Sequence, residues 1–222
     1  MQYDVIIVGA GPAGIFAALE LVKKRPEKKI LMLEKGRPIE DRHCLKRETG
    51  ACRKCRPCNI TTGFSGAGAY SDGKLILSSE IGGFLNEYVD DDELRALVDH
   101  VDSIYLSYGA DEKVYGLGEN DIVRSLRQRV IQNNLRLVES PIRHIGTEKC
   151  RDLYMIIQKE LISSGVEILF RNPVKDIIVE NGRVAGVVAD REYRAGSVVL
   201  ATERDGAGWM NEMSRKHDLS TR

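Results

Sequence analysis

The sequence predicts an α/β fold with a mostly parallel sheet, and the N-terminal segment carries most of this signal. Residues 3–8 end in a continuous apolar run, which is typical of a strand buried on both faces. A glycine-rich turn at residues 9–14 and an amphipathic helix at residues 15–24 follow, and residues 29–34 form a second apolar strand. A strand, a helix and a strand joined by short connections predict a parallel βαβ unit.

The rest of the chain alternates predicted helices with predicted strands. Asp91 or Asp92 is the expected N-cap of the first of these helices, and Asn120 or a residue near it is the expected N-cap of the next. Asn181-Gly182 separates two apolar runs and is the strongest short signal for a hairpin. Predicted helices cover residues 94–108, 122–130 and 153–161, and predicted strands cover residues 135–142, 166–170, 174–179, 183–188 and 197–201.

Composition and charge argue against several classes of function. The 222 residues include 33 Lys and Arg and 33 Asp and Glu, so no net charge attracts nucleic acid. The apolar runs are too short to span a bilayer, and the N-terminus lacks the pattern of a secretory signal. We therefore expect a cytoplasmic protein that binds neither nucleic acid nor a membrane.

The first turn carries a dinucleotide-binding motif. Residues 9–14 read Gly-Ala-Gly-Pro-Ala-Gly, which matches the pattern G-x-G-x-x-G. Gly9 permits the tight turn, Gly11 lets the backbone approach a pyrophosphate, and Gly14 lets the helix pack on the sheet. The helix N-terminus favours the negative charge of the diphosphate. Glu34, at the end of the second strand, is placed to accept a hydrogen bond from a ribose hydroxyl.

This motif predicts a Rossmann-like FAD/NAD(P)-binding domain. It does not by itself separate FAD from NAD. An acid at Glu34 disfavours NADP, because it would repel the 2′-phosphate.

Further motifs connect the chain with a known family. The N-terminal motif followed by Glu-Lys-Gly-Arg at residues 34–37 resembles the glutathione-reductase-like flavoproteins with two dinucleotide-binding domains. Residues 63–74 read Gly-Phe-Ser-Gly-Ala-Gly-Ala-Tyr-Ser-Asp-Gly-Lys, and residues 55–58 read Cys-Arg-Pro-Cys. Together these segments resemble a largely uncharacterised family of bacterial and archaeal FAD-dependent dehydrogenases. The resemblance extends from Met1 to about Trp209.

The resemblance implies one FAD-binding domain interrupted by an inserted helical and loop segment that faces the substrate. Residues 1–43 and 144–210 would form the two parts of the FAD-binding domain. Residues 44–143 would form the cysteine-rich loop and the insertion. Residues 211–222 are polar, and we expect them to form a frayed tail.

The resemblance also implies a set of cofactor contacts. Residues 66–73 would lie beside the pyrophosphate and the flavin ring, and Val174 would contact the adenine through its backbone. Ala201 and Thr202 resemble the start of a second FAD motif, Ala-Thr-Gly, in which Glu203 here replaces the glycine. The expected cofactor-binding residues are Gly9, Gly11, Pro12, Ala13, Gly14, Glu34, Lys35, Arg37, Gly66, Ala67, Gly68, Ser71, Asp72, Gly73, Val174, Ala201 and Thr202.

One motif of these flavoproteins has no counterpart in the sequence. They carry a Gly-Asp segment near the C-terminus, whose acid binds the ribityl chain. No such segment follows Ala201. We therefore expect a flavoprotein truncated at its C-terminus, for which a C-terminal partner chain is a candidate partner.

Four clustered cysteines form a second motif, at Cys44, Cys52, Cys55 and Cys58. The C-x2-C-x2-C spacing suits an iron–sulfur cluster with Cys44 as the fourth ligand, and four thiolates also suit zinc. The surrounding basic residues would lower the pKa values of these thiols, which would also allow a redox-active pair. Ordinary surface thiols are the remaining interpretation.

The combined prediction is a FAD-dependent oxidoreductase that acts on an unknown small-molecule substrate. NAD(P)H is a candidate electron donor, and the motifs identify no catalytic acid or base. One alternative is an NAD-binding dehydrogenase domain. The other is a non-catalytic nucleotide-binding subunit or fragment that needs a C-terminal partner.

Overall fold

A computed structural model describes residues 2–70 and 73–219, and the chain divides into two compact units. The first comprises Met1–Tyr70 and Tyr154–Arg222, and the second comprises Ser71–Leu153. The α-helices are α1 (Pro12–Lys24), α2 (Lys46–Thr49), α3 (Asp91–Ser107), α4 (Asp121–Gln132), α5 (Thr147–Ser163) and α6 (Ala207–Lys216). The strands are β1 (Gln2–Val8), β2 (Ile30–Leu33), β3 (Lys74–Ile76), β4 (Val114–Tyr115), β5 (Ile142–His144), β6 (Glu167–Leu169), β7 (Asp176–Glu180), β8 (Arg183–Val188) and β9 (Glu192–Leu200).

The first unit contains a six-stranded sheet in the order β6-β2-β1-β9-β8-β7. Strand β1 pairs in parallel with β2 and with β9, and β2 pairs in parallel with β6. Strands β7, β8 and β9 are antiparallel neighbours. The predicted α/β class is confirmed, because the sheet is largely parallel and carries an antiparallel hairpin layer at one side, as in a Rossmann-like domain.

The core of this sheet follows from the apolar runs. Ile6 and Ile7 of β1 are fully buried, and all four residues of β2 are at most 2% exposed. Helix α1 packs Ile15 and Ala18 into the same unit, and both are fully buried. Each buried Ile, Leu or Met side chain contributes about 1.5–3 kcal/mol when it is removed from water, so these elements stabilise the region around the N-terminal turn.

The hairpin lies where the Asn-Gly pair predicts it. Asn181 and Gly182 have φ values of 51° and 73°, and Glu180 pairs with Arg183 across the turn. Positive φ at both central residues is the requirement of a type I′ turn, which Asn-Gly satisfies best.

The second unit has its own antiparallel sheet, in the order β3-β5-β4, and the sequence did not predict it. Asn120 caps α4 as predicted, since its side chain accepts a hydrogen bond from the Val123 N–H at 2.9 Å. The predicted cap of α3 is wrong by one position. Asp90, not Asp91 or Asp92, has the extended backbone of an N-cap and accepts from the Glu93 N–H at 2.8 Å.

Other boundaries differ from the prediction. The strand expected at residues 135–142 is wrong, because only Ile142–His144 is extended and paired. Pro141 lies inside the expected strand and has no N–H to donate to a sheet. Helix α6 continues to Lys216, so part of the segment expected to fray is helical. No helix in the described part of the chain has the length and apolar character needed to cross a bilayer.

Candidate nucleotide-binding site

The strands β1, β2 and β9 end at one edge of the parallel sheet. Val8 is in register with Leu33 on one side and with Leu200 on the other. The residues that follow the three strands are therefore neighbours, and the Ala201 N–H donates to the Val8 carbonyl at 2.9 Å. Ligands of open α/β sheets bind outside the carboxyl ends of the strands, so this edge is the expected place for a ligand.

A cavity of about 260 Å³ lies in the first unit at this edge. Ligand pockets generally span about 300–1,000 Å³, so the cavity lies just below this range with the Glu203 side chain beside it. It is lined by Val8, Gly9, Gly11, Leu33, Glu34, Lys35, Thr61, Thr62, Gly63, Gly66, Pro173, Val174, Ala201, Thr202, Glu203, Asp205, Gly206 and Trp209.

Some of the predicted cofactor-binding residues line the cavity, and others do not. The predicted residues that line it are Gly9, Gly11, Glu34, Lys35, Gly66, Val174, Ala201 and Thr202. Pro12, Ala13, Gly14, Arg37, Ala67 and Gly68 belong to the same unit without being among the residues that line it. Gly73 belongs to the second unit, where its carbonyl accepts from the Ile145 N–H at 2.7 Å, and Ser71 and Asp72 lie outside the described residues.

Two of the three motif glycines allow backbone segments to approach each other closely. Gly9 has φ of +102°, and a Cβ on it would lie 2.5 Å from the carbonyl oxygen of Ala201. A Cβ on Gly14 would overlap the carbonyl oxygen of Gly9. A side chain at either position would therefore force apart the strand ends and the start of α1.

Gly11 differs from the other two glycines. It is the N-cap of α1, with φ of −78° and ψ of −179°, which any residue adopts. A Cβ there would lie 2.8 Å from Cδ of Glu203 and would overlap its carboxylate, so its obstacle is a flexible side chain and not backbone. Pro12 takes the first helical position, where its missing N–H costs no hydrogen bond.

The carboxylate of Glu203 lies in the cavity beside Gly11 and Gly66. Its Oε2 accepts a hydrogen bond from the Ala67 N–H at 3.3 Å. Burial raises the pKa of Glu203, and the nearby charge of Glu34 raises it further. The Ala67 N–H and the cations of Arg42 and Lys35 act in the opposite direction.

The sequence did not identify Glu203 as a functional residue. The one signal in the sequence is that Glu203 replaces glycine in the Ala-Thr-Gly pattern. The finding is instead a carboxylate placed in the cavity.

Glu34 stabilises the glycine-rich turn directly. Its Oε2 accepts from the Ala10 N–H at 2.8 Å, and its Oε1 accepts from the Gly36 N–H at 2.7 Å. The side chain is only 5% exposed, but it still lines the cavity. Each carboxylate oxygen has a second acceptor position, so these bonds leave room for the predicted bond to a ribose hydroxyl.

Arg42 holds together the loop that contributes Thr61, Thr62 and Gly63 to the cavity lining. It is 2% exposed and donates to the carbonyl oxygens of Asn59, Ile60 and Phe64 at 3.0, 2.6 and 2.6 Å. The next residue, Ser65, donates its N–H to the Ala10 carbonyl at 2.8 Å, which ties the loop to the glycine-rich turn. No spacing pattern in the sequence marks Arg42 for this role.

The cavity lining also contains an ion pair and an aromatic ring. Lys35 pairs with Asp205, and this contact holds the pKa of the Asp205 carboxyl below its usual range. The Thr62 hydroxyl also donates to Asp205 at 3.4 Å. The Trp209 indole donates its Nε1–H to the Lys175 carbonyl at 3.1 Å, which positions the ring against the cavity.

The cysteine cluster does not form a metal site in the structure. Cys52, Cys55 and Cys58 are exposed, and Cys44 is partly exposed. Across residues 2–70 and 73–219, no group of three or more His, Cys, Asp or Glu is arranged to hold a metal ion. The iron–sulfur and zinc interpretations therefore receive no support. Hydrogen bonds from the backbone at Thr61 and Ile60 lower the pKa of the Cys58 thiol.

Comparison with known families identifies the class of protein. Residues 3–202 match the pyridine nucleotide-disulphide oxidoreductase family. The chain belongs to this family. The match covers β1 to the end of β9, and it includes the motif turn, Glu34 and the cavity wall up to Thr202. Members of the family are oxidoreductases.

Individual relatives are distant. An uncharacterised protein of Clostridium beijerinckii is 26% identical over 198 residues, which is 88% of this chain and 30% of that protein. Among solved structures, L-proline dehydrogenase from P. horikoshii matches with a TM-score of 0.51 and 16% identity, over 100% of this chain and 57% of the other. A 3-ketosteroid-delta4-(5alpha)-dehydrogenase from Rhodococcus jostii RHA1 matches with a TM-score of 0.53 and 18% identity, over 90% and 45%. The chain thus spans about half the length of these structures, and the likeness shows the shared fold.

Proposed function

We propose that this chain is the dinucleotide-binding part of a FAD-dependent oxidoreductase and that its cavity holds the ADP half of FAD. The observation that carries the proposal is the position of the cavity. It lies at the carboxyl ends of parallel strands, next to Gly11 at the N-terminus of α1 and beside the buried carboxylate of Glu34. Parallel-sheet dinucleotide sites use this combination.

The residues that line the cavity suit the parts of this ligand. Val174, Pro173 and Trp209 supply apolar surface for an adenine ring. Glu34 supplies an acceptor for a ribose hydroxyl. Gly11 leaves space for a diphosphate at a helix end whose dipole favours negative charge.

Membership of an oxidoreductase family supports the redox part of the proposal. Bound FAD would supply hydride or electron transfer, and the protein would supply position and electrostatics. In this assignment the glycine-rich turn, held by Glu34, and the loop held by Arg42 fix the two sides of the cavity. The substrate is a small molecule that the described residues do not identify.

The test is calorimetric titration of the purified chain with ADP-ribose, FAD and NAD, together with its visible absorption spectrum. ADP-ribose and FAD should bind, and Gly11→Val should abolish both because its side chain fills the space proposed for the diphosphate. Gly208→Val is the matched control, since Gly208 in α6 has open space around its Cβ position and lies outside the cavity lining.

Two results would count against this assignment. A folded protein that binds none of the three ligands does not have the proposed site. Tighter binding of NAD than of FAD would favour the NAD-binding domain over the flavin-binding one.

A further inference from the structure

A carboxylate occupies the part of the cavity where the dinucleotide motif leaves space. The glycines at positions 11 and 66 come from different segments, the start of α1 and the loop held by Arg42. The Cβ positions of both glycines point at the same group, since a Cβ on either one would overlap the carboxylate of Glu203. The space cleared by the two glycines is thus filled by an acid of the chain itself.

The positively charged groups near Glu203 bind other partners. Lys35 is paired with Asp205, and the guanidinium of Arg42 is bonded to the carbonyl oxygens of its loop. Glu34 adds a second negative charge nearby. The hydrogen bond that the structure gives the Glu203 carboxylate comes from the Ala67 N–H. An anion at a helix N-terminus is favoured by the helix dipole, which is the same interaction that a diphosphate would use.

We propose that Glu203 occupies the diphosphate position of the dinucleotide site and competes with the ligand for it, so that this side chain sets the affinity of the cavity. The inference rests on the proposed function and adds the residue that regulates it. A ligand diphosphate and an ionised Glu203 carboxylate cannot share this position, because they would overlap and repel each other. Binding therefore requires the side chain to leave.

Glu203 can vacate the diphosphate position by rotation of its side chain alone. The contacts with Gly11 and Gly66 involve the far end of Glu203 and not its backbone. Its backbone carbonyl accepts from the Gly206 N–H at 2.7 Å, which holds the chain in place while the side chain rotates. A substitution at this position therefore removes the competing group and its bond from the Ala67 N–H, and it leaves the bond between the Glu203 carbonyl and the Gly206 N–H in place.

The experiment measures ADP-ribose affinity by calorimetry for the wild-type chain, Glu203→Gln and Glu203→Ala. Glu203→Gln keeps the size of the side chain and removes its charge, whereas Glu203→Ala removes the competing group. Both variants should bind at least fivefold more tightly, and Glu203→Ala should bind most tightly. Glu212→Gln removes the same charge from an exposed position on α6 and should bind like the wild type.

The other possible outcomes distinguish failure of the proposed competition from failure of the proposed nucleotide binding. Equal affinity of the wild type and both Glu203 variants would overturn the competition and leave nucleotide binding intact. Weaker binding by the variants would make Glu203 a ligand-binding residue and would overturn it too. Absence of binding in every folded variant would overturn the proposed function, and the competition with it.

Discussion

Ala10 donates its backbone N–H to the carboxylate of Glu34 over 2.8 Å, which joins the turn after β1 to the end of β2. The same carboxylate accepts from the Gly36 N–H at 2.7 Å. The two donors bond to different oxygens of the carboxylate and are 26 residues apart in sequence. The acid expected to contact a ribose is therefore also the residue that holds the glycine-rich turn in shape.

This dual role predicts a loss of stability on substitution. Glu34→Gln replaces one acceptor by an NH2 group, which would face a backbone N–H in the buried site. The unpaired donor should lower the free energy of unfolding by about 1–3 kcal/mol. Urea unfolding followed by circular dichroism measures this change. Glu27→Gln, at an exposed position, should leave stability unchanged, and an equal effect of the two substitutions would contradict the prediction.

The motif glycines should separate into two classes. Gly9→Ala places a Cβ at positive φ and 2.5 Å from the Ala201 carbonyl oxygen, and it should lower the free energy of unfolding by at least about 1–2 kcal/mol. Gly11→Ala has an unstrained backbone and should cost less than about 1 kcal/mol. Denaturant unfolding of both variants tests the difference. Similar losses at the two positions would mean that Gly11 also serves backbone packing.

The fold was predictable wherever local pattern and tertiary structure agree. The apolar run of β1, the glycine-rich turn and the Asn181-Gly182 hairpin each determine their structure over a few residues, and the parallel sheet follows from them. The second unit was less predictable. Its strands have two or three residues each, which is too short for a period to emerge from the sequence.

Some residues of the candidate site could be predicted from the sequence, and others could not. Gly9, Gly11 and Glu34 belong to a motif of fixed spacing, so their proximity in the folded protein could be predicted from the sequence. Arg42 and Trp209 reach the cavity through contacts that no periodic pattern encodes. The cysteine spacing suited a metal, but spacing alone does not make separate thiols converge, and in the described part of the chain they do not.

The buried Arg42 predicts a second stability effect. Lysine at this position would keep the charge but could not donate to Asn59, Ile60 and Phe64 together, because it lacks the planar fork of the guanidinium. Arg42→Lys should lower the free energy of unfolding by at least about 1.5 kcal/mol, the contribution of one charged hydrogen bond. Arg53→Lys, on an exposed segment, is the control. Equal urea midpoints for the two variants would show that the loop does not depend on the guanidinium.

The raised pKa of Glu203 predicts that ligand affinity depends on pH. Burial is the largest cause of the shift, and the charge of Glu34 adds to it. A carboxyl whose pKa is raised on folding favours the protonated form, so its contribution to stability is present below the ordinary carboxyl pKa of about 4.3 and is lost as pH rises through the raised value. The protonated side chain does not repel a diphosphate.

The affinity of the wild-type chain for ADP-ribose should therefore decrease as pH rises through the pKa of Glu203. ADP-ribose suits this measurement, because its diphosphate stays ionised throughout the range and protonation of its adenine ring affects every variant alike. The decrease should be smaller for Glu203→Gln than for the wild type over the same buffers, and Glu212→Gln should reproduce the wild-type decrease. The stability of the wild type relative to Glu203→Gln should fall over the same interval, since ionisation of the buried carboxyl opposes folding. Parallel binding profiles for the wild type and Glu203→Gln would assign the pH dependence to another group, such as the Lys35–Asp205 pair, and not to Glu203.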